Sequence, residues 1–131
     1  MKNGEFIYAR THAEFLNQAF GTNYKAWMKC VWRYTDDLIV WMIRFNRDDG
    51  GWRNSRITSN RIKEENLNKV GEWDGKPIDE GLFKRRIVIE IEDLGRVRKY
   101  IFRGIYAYDE ASSDPYTIRY HYKISDELRL G

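Results

Sequence analysis

Residues 50–54 read Gly50-Gly51-Trp52-Arg53-Asn54, setting a bare backbone, an aromatic plate, a fixed cation and an amide shortly after an apolar run. Such groups can build a pocket for a nucleobase or nucleotide. Stacking on an aromatic face contributes roughly 1–3 kcal/mol per base, while guanidinium and amide groups read base edges or hold phosphates. The competing reading is a tight turn whose Trp52 folds back to plug the core. Trp41, inside the apolar run, is a second candidate plate.

More candidates come from the pattern after residue 86. Ile87, Ile89 and Ile91 alternate with Val88, Glu90 and Glu92, and Asp93-Leu94-Gly95 permits a reversal, so a β-hairpin is expected. A three-residue turn would set Glu92 opposite Arg96 and Glu90 opposite Arg98, surface pairs worth about 0–1 kcal/mol each. In that register Lys99 and Arg103 share the isoleucine face with Val97, Ile101 and Ile105. An unpaired buried charge costs at least several kcal/mol, so these cations would need an acid, open water or an anionic ligand. A one-residue slip would send both to solvent instead. Arg103 precedes Gly104, where a bulge or close backbone approach is expected, and Tyr106 follows as a further pocket aromatic.

In the last strand Tyr116, Ile118, Tyr120, Tyr122 and Ile124 fall on one face, with Thr117, Arg119, His121 and Lys123 on the other. A basic row of this kind is usually solvated. It would alternatively follow a phosphate backbone, with Lys99, Arg119 and Lys123 as contacts. Catalytic chemistry finds little support. His12 and His121 lie far apart, with no metal-ligand spacing, and read as a first-turn helix residue and a strand surface residue. Cys30 reads as a buried inert thiol in a strand. Asp36, Asp37, Asp48, Asp49, Glu90 and Glu92 have no forced convergence, and Asp74-Gly75-Lys76 lacks a second acid. No Walker loop, dinucleotide fingerprint or serine elbow is present. We therefore expect no enzyme, no cofactor and no metal.

The elements that must position these groups begin with an edge strand from Glu5 to Arg10. Thr11-His12-Ala13-Glu14 then matches a capping box before a helix over about residues 12–20 that Gly21 can end. Trp27–Tyr34 and Leu38–Phe45 predict a hairpin, whose second strand is apolar on both faces and hence central. Ser59-Asn60 predicts the cap of a second short helix through Leu67. Val70–Leu82 predicts a surface excursion pinned by Trp73, and residues 86–124 supply the closing strands. The sum is one α+β domain over residues 1–131: a small, mostly antiparallel curled sheet or barrel with two short helices. The formal charge is only +3, the single cysteine fits a reducing cytoplasm, and Leu38–Ile43 is too short an apolar run to cross a bilayer. No membrane partner is expected.

The runs LNQAFGTNYKAWMKCVWRYTDDLIVWMIRFNRDDGG and YIFRGIYAYDEASSDPYTIRYHYKISDEL resemble the small β-barrel modules of the PUA-like superfamily. More narrowly, they resemble the SRA-like readers fused to nucleases in modification-dependent restriction systems. That resemblance implies a concave pocket that accepts a flipped or free base between aromatic side chains. The leading expectation is a non-catalytic reader of bases, including modified ones, in nucleic acid. The site would comprise Trp41, Trp52, Arg53, Asn54, Arg103 and Tyr106. The alternative is a sponge for a free nucleotide messenger, of the phage anti-defence type, which an oligomer would suit better. A protein-interaction module is the third reading.

Overall fold

A computed structural model describes residues 1–49, 51–67 and 78–130. Gly50, Trp73 and the Asp74-Gly75-Lys76 triplet lie outside the described residues.

Helix α1 spans His12–Phe20, as expected. The Thr11 side chain accepts a hydrogen bond from the Glu14 N–H at 3.1 Å, and Gly21 closes the other end with φ 70°. Ala13, Phe15 and Leu16 face the sheet and are buried. Thr11→Ala should lower the unfolding free energy by about 1 kcal/mol, as measured by urea denaturation, because the Glu14 N–H loses its acceptor.

Among the described residues nine strands form one sheet, in the order β2 (Val31–Thr35), β3 (Leu38–Ile43), β7 (Arg85–Asp93), β8 (Arg98–Tyr108), β9 (Ile118–Ser125), β6 (Arg61–Asn66), β5 (Trp52–Thr58) and β4 (Asp48–Asp49), with β1 (Phe6–Ala9) beside β8. The expected β2/β3 hairpin forms, although its first strand begins at Val31 rather than Trp27, and all six residues of β3 are buried in the sheet interior. The long strand β8 serves two neighbours along one edge, β1 through Arg98–Ile101 and β9 through Ile105–Tyr108.

Three expectations need correction. The sheet is mixed, because β3 and β7 run parallel, and it does not close by a continuous ladder. Its two arms meet instead at an isolated bridge between Phe45 and Asn54, where the Asn46 N–H donates to the Asn54 carbonyl at 2.7 Å. Second, residues 61–66 form β6 rather than a helix, and Ser59-Asn60 is a hairpin turn. Pairing with β5 and β9 on both edges outweighs a helix that Ile62 and Leu67 alone would anchor. Third, the β7/β8 turn is longer than expected, so Glu92 faces Lys99 and Asp93 faces Arg98. Tyr100, Phe102 and Ile105, not the cations, therefore lie across from the three isoleucines.

At Gly104 a bulge shifts that register, leaving Arg103 without a ladder partner. Glycine is required there: φ is 116°, and a Cβ would stand 2.7 Å from the Ser125 carbonyl oxygen.

The sheet buries both faces. One packs Phe15 and Leu16 of α1 against Val40, Met42, Ile87, Ile89, Tyr100 and Phe102. The other curls over Trp41, Ile43, Ile62, Val88 and Tyr106. Contacts across this concave face, such as the Trp41 and His121 rings 5.2 Å apart, bring β3 and β9 together although two strands separate them in the sheet.

Candidate base-binding hollow

The concave face carries a row of polar side chains. Backbone pairing sets Asn54, Glu64 and Arg119 side by side across β5, β6 and β9. The next row holds Arg56, Ile62 and His121. Strand alternation does the sorting: Trp52 and Asn54 turn inward, whereas Arg53 between them turns out. It likewise turns Arg119, His121 and Lys123 inward, leaving Tyr122 and Ile124 largely exposed. This reverses the solvated polar face expected for β9.

A hollow of about 150 Å³ opens here. Its walls include Ile39 and Trp41 of β3, Arg86 of β7, Glu64 of β6 and Arg119 of β9, with Cys30 and the Asp79–Leu82 turn at the rim. Cys30 is exposed and precedes β2, a correction to the buried strand position expected of it.

Glu64 is the electrostatic centre. Burial pushes its carboxyl up, but the His121 hydrogen bond, with Arg86 and Arg119 nearby, more than offsets this and holds it below the ordinary carboxylate range. It is therefore ionised at neutral pH. A carboxylate can only accept, so His121 donates its Nε2 proton to Glu64 Oε1 at 3.0 Å. Burial, reinforced by Arg86, lowers the His121 pKa to about 4, so the ring is neutral and Nδ1 is an acceptor. Among the described residues that Nδ1, Asn54 Oδ1 and Arg86 Nε are buried without hydrogen-bond partners. Arg86 itself is clamped, its guanidinium 4.6 Å from the Trp41 ring centre and its Nη2 donating to the Gly81 carbonyl at 3.4 Å.

Arg119 is more exposed and is engaged by three groups. Its guanidinium lies 4.3 Å from the Trp52 ring centre and 3.8 Å from Glu64 Oε2, and its Nε donates to the Pro115 carbonyl at 2.8 Å.

Of the site residues expected from sequence, Trp41, Asn54, Trp52 and Arg119 gather at this concave wall, and Tyr106 lies deep beneath it, donating to the Ser59 carbonyl at 3.3 Å. The others lie elsewhere. Arg103 is bound to Glu90 at 2.7 Å, because the bulge takes it off the isoleucine face on which the expected register placed it. Arg53 contacts Asp48 and the Asn46 carbonyl on the outer side. Lys99 sits 4.2 Å from the Phe6 ring centre, and Lys123 lies along Gly104 and binds Asp126 at 2.7 Å. Glu64, Arg86 and His121 were absent from the expected site.

Arg103→Ala should change nucleic-acid affinity less than twofold in a mobility-shift titration, since its guanidinium is engaged away from the hollow. A tenfold loss would place Arg103 at the binding surface.

No curated protein matches the chain. Among solved structures the fold is similar to that described as the 5-hydroxymethylcytosine-specific restriction enzyme AbaSI, with TM-score 0.65 and 21% identity. The match covers 94% of this chain and 40% of that one, so the present chain spans less than half the length of its structural relative. The model of the SET and RING associated domain, SRA, matches residues 2–130. The SRA-like resemblance legible in the sequence is thereby met, and the chain belongs to the SRA family.

Proposed function

We propose that this SRA domain is a non-catalytic reader that takes one base, rotated out of a DNA strand, into the hollow between Trp41 and Glu64. The observation that carries this reading is Glu64, an ionised and nearly buried carboxylate in the wall of a concavity. His121 occupies one of its acceptor sites, and others remain. A carboxylate in that setting accepts from an exocyclic amine such as cytosine N4, a pairing worth about 1–3 kcal/mol of discrimination. Arg86 Nε and Asn54 Oδ1 offer one donor and one acceptor more.

Size supports a base over a larger guest. About 150 Å³ falls below the roughly 300–1,000 Å³ typical of sites for drug-sized ligands, which favours a single base over a whole cyclic dinucleotide or ADP-ribose. The specificity in the description of the structural relative points to a cytosine carrying a 5-substituent.

The test is a mobility-shift titration on duplexes carrying cytosine or 5-hydroxymethylcytosine at one position, at two salt concentrations. Tighter binding of the modified duplex, weakening as salt rises, is expected. Binding that ignores the base, or tight capture of a free nucleotide in its place, would overturn the reading.

A further inference from the structure

We infer that Arg119 selects a base presented within a nucleic-acid strand over the same base free in solution, by covering Trp52 until a phosphate draws it away. The inference rests on the base-reading role proposed above. Arg119 lines the hollow and Trp52 does not, and the Arg119 guanidinium lies 4.3 Å from the Trp52 ring centre. Withdrawal of Arg119 would extend the hollow to a second aromatic plate.

The two guanidinium groups at the site are held differently. Arg86 is 5% exposed and sandwiched between Trp41 and the 80–83 turn, so it stays. The Arg119 side chain is 21% exposed, reaches Glu64 at 3.8 Å, beyond hydrogen-bond length, and is tied by one short hydrogen bond to Pro115 in the loop before β9. Its greater exposure and its anchor on a loop carbonyl make it, rather than Arg86, the side chain assigned to move.

Exchange of partners explains the selectivity. A guanidinium and a base gain comparable stabilisation from the same indole, so a free base displacing Arg119 gains little. A base on a strand brings phosphates, and Arg119 then exchanges the indole for a charge-assisted, bidentate contact. Glu64 retains Arg86 and His121 throughout, so its charge stays compensated.

Arg119→Ala and Arg119→Lys should be compared with the wild type on two probes, a duplex bearing 5-hydroxymethylcytosine and the corresponding free nucleoside, the latter followed by chemical-shift titration. For Arg119→Ala we expect nucleoside affinity to rise about fivefold and duplex affinity to fall at least tenfold, with the salt slope reduced by about one. Arg119→Lys keeps the charge but loses the plate, so it should bind nucleoside as the alanine variant does while retaining most of the duplex affinity. Parallel weakening on both probes would make Arg119 a direct base contact, and no change on either would make it a bystander. Both results overturn the inference while leaving the base-reading role intact. Wild-type protein that binds neither probe would remove that role and the inference together.

Discussion

Glu64→Gln is expected to weaken binding of a duplex bearing 5-hydroxymethylcytosine about 10- to 100-fold, equivalent to roughly 1–3 kcal/mol, while the domain remains folded. Glutamine keeps the length and shape of the side chain but removes the charge that opposes Arg86 and Arg119. It also replaces one acceptor with an amide N–H₂, which would meet the amine of the base donor to donor. The penalty should depend on the base: where the amine is replaced by a carbonyl, as in 5-hydroxymethyluracil, the variant should lose little or gain. Titration of the two duplexes against wild type and Glu64→Gln gives the four affinities needed. Equal losses on both bases would mean that Glu64 supports the fold of the hollow without reading the guest. Glu64→Ala would be a poorer probe, since it strands Arg86 in a buried site beside a cavity.

The elements around this site were unequally legible in the sequence. Helix α1, the β2/β3 hairpin and the β8/β9 return announce themselves through a capping box, a polar turn and apolar alternation, all local signals. Strand β6 does not. Its inward positions are Ile62 and Glu64, and its outward ones are Arg61, Lys63 and Glu65, so charge on both faces erases the period-two signal. Strand β9 alternates sharply, but hydrophobicity assigns its faces the wrong way round: the polar row turns to the concave side, where Arg119 lines the hollow, and Tyr122 and Ile124 look outward. Both failures have one cause, because a concave wall lined by ionised and hydrogen-bonded side chains breaks the rule that apolar residues face inward. The pentapeptide at residues 50–54 misleads more mildly. Strand pleating divides it, keeping Trp52 and Asn54 and turning Arg53 away, and one partner of Trp52 proves to be Arg119, 67 positions later in the chain. Arg103 looked like that partner until the longer β7/β8 turn and the bulge at Gly104 set it against Glu90.

The same buried pair makes the domain acid-sensitive over a defined range. His121 titrates near 4 in the folded protein because burial, together with Arg86, disfavours its charged form, whereas an unfolded histidine titrates near 6.5. Between those values the unfolded chain binds a proton that the folded chain refuses. Stability contributed by His121 is thus fully present above pH 6.5 and is lost as pH falls toward 4, a loss on the order of 3 kcal/mol. Glu64 acts in the same direction at still lower pH: its folded pKa is depressed, so its contribution is present above 4.5 and disappears as the carboxylate is protonated. Urea denaturation at pH 7, 5.5 and 4.5 should show a decline in which His121→Gln does not share above pH 4.5, since glutamine can donate to Glu64 without titrating. Direct observation of the imidazole resonances separates this group from others: His121 should remain neutral at pH 5.5. If wild type and His121→Gln lose stability in parallel across that interval, or if His121 is protonated at pH 5.5, the neutral ring that holds Glu64 in place is wrong, and with it the acceptor on which the proposed base recognition depends.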